Sequence, residues 1–282
     1  MISSWFSSKV LTEEEKRAAE EDLRQRLLPE HITSTELQRW LRAEKYSVDK
    51  AGKRLQHHLH WRADYLPQGC VLEEEIRTEL DQKKVFLQGC DELGRPVSVV
   101  VVNKHLPHCP AETKRLIVYC FEASIALSDA QRNPLGLSTG IFDLRNIRLE
   151  NLDAGALRGV FSVLQDHYPE RLGVLVMFGA PAVFHGLWMA VLPFIAEETR
   201  AKVKFVSEGD MAEALSFIPP DVLPETFGGK ALLLPVDEAV RKFGLARAPQ
   251  CSGPAKAPVD DDPEQAPVDN LPDRNGDVAA RT

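Results

Sequence analysis

The sequence predicts an α/β fold whose sheet is largely parallel and is preceded by a small helical lobe. Residues 11 to about 80 carry apolar side chains at helical spacing. From Lys84 onward, strand-like runs alternate with helical segments, which favours parallel strands joined by right-handed crossovers. The run Val97–Asn103 is rich in β-branched residues and shows no alternation, as expected of a strand covered on both faces.

The lobe is predicted to begin with a charged amphipathic helix over Leu11–Leu28. Thr33 and Glu36 have the spacing of a capping box, and the flanking Ile32 and Leu37 form its hydrophobic staple. A helix is therefore expected to start there. Further lobe helices follow from the 3.6-residue period of the apolar positions: Val48, Ala51, Leu55 and Leu59, and then the segment Leu72–Leu80.

In the body, predicted strands alternate with predicted helices along the chain. The predicted strands are Val85–Gln88, Val97–Asn103, Thr139–Leu144, Leu172–Phe178 and Lys202–Val206. The predicted helices are Glu112–Leu127, Ala154–Asp166, Ala182–Ala196 and Met211–Phe217.

The carboxyl-terminal segment differs in composition from the rest. From Pro249 to Pro272 it holds six prolines and no aromatic residue. Such a segment cannot offset its ordering entropy by burial, so disorder is expected. The predicted organisation is a flexible start (1–10), a helical lobe (11–82), an α/β body (83–246) and a disordered, acidic, Pro-rich tail (247–282).

Charge and cysteine usage exclude several functional classes. The net charge is −8, and the segment from Pro249 supplies −4 of it through three basic and seven acidic residues. A dedicated nucleic-acid binder would instead need a basic face. Five cysteines without metal-type spacing indicate reduced thiols in a cytosolic protein. No signal peptide and no membrane-spanning run is recognised, so we expect a soluble protein whose membrane contact is peripheral.

Three short motifs could indicate catalysis, phosphate binding or metal binding, but each lacks the structural context or spacing that its chemistry needs. The run Gly136–Gly140 fits G-x-S-x-G, but its Ser138 precedes or lies within a strand, whereas a nucleophile elbow follows a strand and opens a helix. The run Gly89–Gly94 has phosphate-loop spacing but lacks the Lys-Ser/Thr that must follow. His57, His58 and His60 lack the i, i+4 spacing of a helical metal pair. We therefore predict no enzyme activity, no metal and no cofactor.

Several fragments, found in a shared order from about Thr33 to Lys230, resemble one known family. They are Leu41–Val48 with Trp61-Arg62, the turn Gly94–Val97, the segment Tyr168–Leu172, and the segment Leu223–Gly229. Together they resemble the CRAL-TRIO lipid-binding domain with its helical N-terminal extension. The resemblance implies a twisted sheet with helices on one face and a large lipid cavity on the other, gated by a mobile helix.

The resemblance assigns the gate to an apolar segment after the fourth strand. The alternative interpretation of this apolar segment is a helix buried in the core. In a gate, one side would line the cavity and the other would enter a membrane interface. The residues assigned to the gate and cavity are Phe184, Leu187, Trp188, Val191, Leu192, Phe194 and Ile195.

The resemblance also explains why a polar turn, Asp166–Arg171, opens directly into an apolar strand. In family members that bind phosphatidylinositol, the Glu of this turn accepts inositol hydroxyls, and a Thr and a Lys hold the phosphate. The matching residues here are Glu170, Thr199 and Lys202. An ammonium and a hydroxyl are the donors that a phosphodiester needs. Arg171 is assigned a structural role, as partner of a neighbouring carboxylate.

Two positions differ from the family pattern, and both affect which ligand is expected. Glu44 stands where phosphatidylinositol-binding members often have an Arg, which is expected to weaken phosphate binding or to shift it to Lys45 or Arg200. Phosphatidylcholine-binding members use a Ser and a Thr near the start of one strand. Ser138 matches the Ser, but Gly140 replaces the Thr, so phosphatidylcholine is the less secure second ligand.

The sequence thus predicts a monomeric lipid-binding protein that exchanges phospholipid, chiefly phosphatidylinositol, at cytosolic membrane surfaces. Three alternatives remain. The protein could be a sensor that presents lipid to a kinase, with the acidic tail as a docking arm. It could carry an isoprenoid, sterol-like or other apolar molecule. It could be a hydrolase acting through Ser138.

Overall fold

One sheet organises the protein, and the computed structural model describes residues 11–27 and 32–245. The strands are β1 (Val85–Cys90), β2 (Pro96–Val101), β3 (Ser138–Asp143), β4 (Leu172–Phe178) and β5 (Val203–Val206). They lie side by side in sequence order. β1 pairs antiparallel with β2, and every later pair is parallel. The predicted α/β class with a mixed, largely parallel sheet is therefore confirmed.

Helices precede, connect and follow these strands. In the lobe they are α1 (Glu13–Leu27), α2 (Ser34–Ala43), α3 (Val48–Tyr65) and α4 (Arg77–Asp81). In the body they are α5 (Pro110–Leu127), α6 (Ala154–His167), α7 (Ala182–Val191), α8 (Glu197–Arg200), α9 (Met211–Ala214) and α10 (Val236–Lys242). Short 3₁₀ turns occupy Glu73–Ile76, Val102–Lys104, Leu149–Asn151, Leu192–Phe194 and Glu225–Phe227.

Local sequence signals explain where α2 begins and where α7 ends. Thr33 caps α2, because its hydroxyl accepts a hydrogen bond from the Glu36 amide at 3.2 Å. The helix predicted over Ala182–Ala196 is shorter in the structure and ends at Val191, followed by the 3₁₀ turn. Pro193 lacks an amide hydrogen and cannot continue the α-helical ladder, which accounts for this early end.

One face of the sheet is packed solid. Val97, Val99 and Val101 of β2 point to this face with Ile141 of β3, and they are buried. The chain after β5 covers them, including a turn whose Phe227 is buried against the sheet. Side chains of a strand alternate between its faces, so the intervening residues face the opposite side.

The opposite face is covered by α5, α6 and α7 and encloses a cavity between these helices and the sheet. The cavity thus lies on the helix-covered face, not across the sheet from the helices as the resemblance implied. The expectation failed because the chain after β5 fills the other face.

The lobe has its own buried cluster, which includes Leu23, Leu37 and Leu55. The described residues all lie within one compact unit. The predictions of a flexible start over 1–10 and of a disordered tail over 247–282 lie outside the described residues. Among the helices described, none is both long enough and apolar enough to cross a membrane.

Candidate functional site

The cavity has a volume of about 600 Å³, within the range of roughly 300–1,000 Å³ typical of ligand sites. Its floor is the inner face of the sheet, where Ser98, Val100 and Val102 alternate along the chain from β2. The side walls come from α5 and α6, chiefly through apolar residues. Leu116, Ile117, Phe121, Leu157, Val160, Phe161 and Leu164 line these walls.

Gly140 shapes the centre of the floor. A Cβ atom built there would lie 2.9 Å from Leu175 Cδ1, so the Leu175 side chain occupies the space beside the glycine. Both residues line the cavity. The position where phosphatidylcholine-binding members carry a Thr is therefore an apolar part of the wall in this protein.

The three residues predicted to bind the headgroup lie together at one end of the cavity, and we call them the amino-terminal rim: Glu170, Thr199 and Lys202. Lys202 Nζ lies 3.7 Å from Glu170 Oε2. The Lys202 amide donates to the Thr199 carbonyl at 3.0 Å, which holds these two residues in one turn. Parallel strands bring their amino ends to one edge, which places the start of β5 beside the turn before β4.

The turn that carries Glu170 is fixed from both sides. Tyr168 donates from its hydroxyl to Glu122 Oε1 at 2.7 Å, and Arg62 forms an ion pair with the same carboxylate. Burial, together with the Glu122 carboxylate, raises the Tyr168 pKa well above its usual value, so the phenol keeps its proton. Glu170 itself has φ +53°, a left-handed conformation uncommon for a residue with a side chain.

Arg171 anchors the other side of the turn. Its Nη1 donates to the Gly136 carbonyl at 3.2 Å, whereas the prediction was a carboxylate partner. Burial lowers the Arg171 pKa, and the Glu36 and Glu122 carboxylates oppose this shift. Tyr168 and Arg171 are thus tied to other elements and hold Glu170 at the cavity, where Asp166 and Arg171 are also lining residues.

Ser138 also lines the cavity, where its hydroxyl lies beside that of a second serine. It is buried at the start of β3, and its Oγ lies 3.3 Å from Ser124 Oγ. Within residues 11–27 and 32–245, its hydroxyl forms no hydrogen bond to an imidazole or a carboxylate. A serine nucleophile needs such a base, so the geometry offers no support for the hydrolase alternative.

Three further bases at the cavity were not predicted as a group: Arg42, Lys45 and Arg54. Arg54 forms an ion pair with Glu44 and donates to the Gln165 carbonyl at 2.6 Å. Glu44 is therefore neutralised by Arg54, and the charge reversal that we expected to repel a phosphate is locally compensated. Of the two substitute bases considered, Lys45 lines the cavity, whereas Arg200 is exposed and does not.

The segment assigned to the gate divides into three environments. Phe184 and Leu187 line the cavity. Trp188, Val191 and Ile195 are buried in a core cluster and do not line it, while Leu192 packs against the same cluster and Phe194 is 56% exposed. The period of α7 explains the division, because one helix face meets the core and the other is left in solvent.

The other end of the cavity is polar as well, and no sequence motif predicted it. Four residues meet there, and we call them the carboxyl-edge cluster: Glu79, Lys84, His105 and Asp153. They come from four separate segments, so no local motif could have revealed them. Among the described residues, no group of three or more His, Cys, Asp or Glu side chains is arranged to hold a metal ion.

Comparison with known proteins gives one family and several relatives. The family model described as CRAL/TRIO domain matches residues 80–229. The phosphatidylinositol transfer protein CSR1 of Eremothecium gossypii is 28% identical over 69% of this chain and 46% of its own length. The phosphatidylinositol/phosphatidylcholine transfer protein SFH7 of Arabidopsis thaliana is 27% identical over 72% of this chain and 40% of its own. This chain therefore spans less than half the length of these relatives.

A solved structure shows the same fold. The crystal structure of Sfh5 superposes with a TM-score of 0.64 at 16% identity, covering 83% of this chain and 98% of that one. At this identity the likeness concerns the fold alone.

Proposed function

Because the chain belongs to the CRAL/TRIO domain family, we propose that it binds a phospholipid in its cavity and exchanges it between membranes. The supporting observation is the amino-terminal rim, where Glu170, Thr199 and Lys202 meet at the end of an apolar cavity. The proposed cargo is phosphatidylinositol, with phosphatidylcholine as a second ligand. The relatives named as transfer proteins of these lipids support this choice.

The energetics of hydrocarbon explain why exchange takes place on a membrane. Two acyl chains hold about 30 methylenes, and burial of each contributes ~0.8 kcal/mol, so exposure to water costs more than ~20 kcal/mol. Release into solvent is therefore too slow to be useful. When the cavity opens onto a bilayer, both environments offer hydrocarbon and the acyl contribution nearly cancels. Headgroup contacts then decide which lipid is kept.

The amino-terminal rim carries the donors and the acceptor that headgroup selection requires. Lys202 and Thr199 would donate to the phosphate, and Glu170 would accept hydrogen bonds from inositol hydroxyls. The Lys202 and Glu170 side chains are 29% and 31% exposed and 3.7 Å apart, and such pairs contribute less than about 1 kcal/mol. Separating them for a headgroup costs little, because each gains a charge-assisted partner.

The exposed side of the gate segment would meet the bilayer. Met189 is 64% exposed and Phe194 is 56% exposed, beside Val183 at 38%. An exposed apolar patch marks a contact site, and these three residues belong to α7 and the 3₁₀ turn that follows it. We propose that this side enters the interface of a cytosolic membrane surface while the side with Phe184 and Leu187 faces the cargo.

The test compares Lys202→Ala with Lys204→Ala. Lys204 is exposed on β5 and does not line the cavity, so it matches the change in charge without touching the rim. Vesicle-to-vesicle transfer of phosphatidylinositol should fall at least tenfold in Lys202→Ala, with phosphatidylcholine transfer largely retained. Lys204→Ala should transfer both lipids at the wild-type rate. Equal loss of both lipids in Lys202→Ala would contradict the headgroup assignment.

The same assay separates exchange from the sensor alternative. A sensor that presents lipid to a kinase would bind phosphatidylinositol yet move it poorly between vesicles. Mass spectrometry of lipid that co-purifies with the full chain identifies the cargo directly, and an isoprenoid or sterol-like molecule in place of phospholipid would overturn the proposed ligand.

A further inference from the structure

Few hydrogen bonds attach the gate segment, which consists of α7 and the 3₁₀ turn Leu192–Phe194, to the rest of the protein. Its backbone amides donate within the segment or to the residue directly before it. Within residues 11–27 and 32–245, one side chain forms hydrogen bonds with the segment or with Ala196 just after it, and that side chain is Gln165 of α6. The remaining attachment is side-chain packing, mainly of Phe184, Trp188 and Val191 against the core.

Gln165 bonds to the backbone on both sides of the junction between the gate segment and α8. Its Nε2 donates to the Phe194 carbonyl at 3.1 Å, and its Oε1 accepts from the Ala196 amide at 2.6 Å. A side-chain amide suits this pair of contacts, because it carries both a donor and an acceptor. Gln165 and Ala196 also line the cavity, so the two bonds lie at the cavity wall.

The backbone between these two bonds has the conformation of a joint. Ile195 (φ −100°, ψ 126°) and Ala196 (φ −57°, ψ 145°) are extended, between the 3₁₀ turn and α8. Residues at the ends of elements can absorb the torsional change of a hinge, so rotation here would move the gate segment without unwinding either helix. The Ala196 carbonyl accepts from the Thr199 amide at 3.0 Å, which connects the joint to the helix that carries a rim residue.

Gln165 is itself held by the helical lobe. Arg54 of α3 donates from Nη2 to the Gln165 carbonyl at 2.6 Å and forms an ion pair with Glu44. This carbonyl lies in the last turn of α6, where it has no partner within the helix. The lobe therefore fixes the end of α6 from which the Gln165 side chain reaches the joint.

Opening on a membrane would change the two kinds of attachment differently. Phe184, Trp188 and Val191 would exchange the protein interior for bilayer hydrocarbon, so their packing would favour the closed state only weakly. The two bonds of Gln165 are made only in the closed geometry. Both lie near the surface, where water can replace them, and their modest net contribution permits reversible opening.

We propose that Gln165 is the latch that holds the gate segment closed, and that the lobe positions it through Arg54. The proposal rests on the proposed function for the role of the gate, but it does not depend on which lipid is carried. The role of Gln165 is to position the gate backbone. Its loss should therefore affect phosphatidylinositol and phosphatidylcholine alike.

The first test measures opening without any transfer of lipid. Val191 of α7 is 1% exposed and does not line the cavity, so a thiol reagent reaches Val191→Cys only when the gate segment moves. Adding Gln165→Met, which keeps the side-chain length but removes both bonds, should raise the labelling rate at position 191 about tenfold, as followed by peptide mass spectrometry. Gln165→Glu keeps the acceptor for the Ala196 amide and loses the donor to Phe194, so its rate should lie between. Gln56→Met, at an exposed position of α3, is the matched control and should leave the rate unchanged.

An unchanged labelling rate in Gln165→Met would overturn the latch. An equal increase at Ala51→Cys, a buried position in the lobe, would also overturn it, because the whole protein would then be opening. In the vesicle assay, Gln165→Met should speed the transfer of both lipids by the same factor, and a change confined to phosphatidylinositol would contradict a positioning role. Faster labelling at Val191→Cys with no transfer by any variant would support the latch and refute the proposed exchange, so the two proposals fail separately.

Discussion

Two buried imidazoles make the stability of this protein depend on pH. His58 of α3 is 4% exposed, and its ring lies between Trp40, Trp61 and the ring of His167. His167 is 9% exposed and stacks on Trp61 with 3.7 Å between ring centroids. The Nδ1 atoms of both histidines are buried and have no hydrogen-bond partner among the residues that the structure describes. The Asp166 carboxylate favours a positive charge on His167, but burial of the ring outweighs it.

The lowered pKa values set the pH window. Burial, followed by the positive charge of Arg62, lowers the His58 pKa to about 3. Burial lowers the His167 pKa to about 4. In the unfolded chain both titrate near 6.5. Below pH 6.5 the unfolded state therefore binds protons that the folded state does not, and stability falls as the pH decreases towards 4. Above pH 7 these two groups contribute no pH dependence.

The magnitude follows from the linkage between proton binding and folding. At pH 5 each histidine favours the unfolded state by about 2 kcal/mol, and the pair by about 4 kcal/mol. That is a large part of the ~5–15 kcal/mol that stabilises a typical protein. His58→Phe keeps an aromatic ring in the site and cannot be protonated, so it should remove about half of the loss.

The assay is urea unfolding followed by circular dichroism at pH 7.5 and pH 5.0. The free energy of unfolding should fall by about 4 kcal/mol more in the wild-type chain than in a variant carrying both His58→Phe and His167→Phe. His60→Gln, on an exposed position of the same helix, should behave as wild type. If His58→Phe lost as much stability as the wild type between these pH values, the reasoning would be refuted.

Three other predictions test the cavity, its polar end and the gate. Val100→Trp should fill the cavity from its floor, leaving a folded protein from which mass spectrometry detects little bound lipid; a normal lipid load would contradict the placement of Val100. Lys84→Met should lower the free energy of unfolding by about 3–5 kcal/mol, because Glu79 is left buried and unpaired, and adding Glu79→Leu should restore most of it. Met189→Asp should slow vesicle transfer severalfold without weakening lipid binding by the free protein, and unchanged transfer would show that this face does not meet the membrane.

Much of the fold followed from local patterns. Thr33 marked the start of a helix through its capping chemistry, and the β-branched run Val97–Asn103 marked a strand covered on both faces. Pro193 contained the information needed to end α7 correctly, but the apolar run that continues to Ile195 outweighed it in the prediction. An apolar 3₁₀ turn has the same composition as an apolar helix, so hydrophobicity alone could not distinguish them.

The rim was predicted through a family resemblance, and the parallel pairing of β4 and β5 explains why Glu170 and Lys202 meet. The carboxyl-edge cluster could not be predicted in that way. Its residues belong to segments that come together only because the sheet aligns the ends of β2 and β3. A lone Lys84 or His105 in the sequence is indistinguishable from an ordinary polar residue at the end of a strand.

By itself, the sequence determined which residues of each strand share a face, because side chains alternate with a period of two whatever surrounds them. It could not determine that the face with Val99 is filled while the face with Val100 borders a cavity. The two faces have similar side chains, and only the tertiary structure sets how far the covering segments stand from the sheet. Close packing of Phe227 fills one side, whereas α5 and α6 leave space on the other.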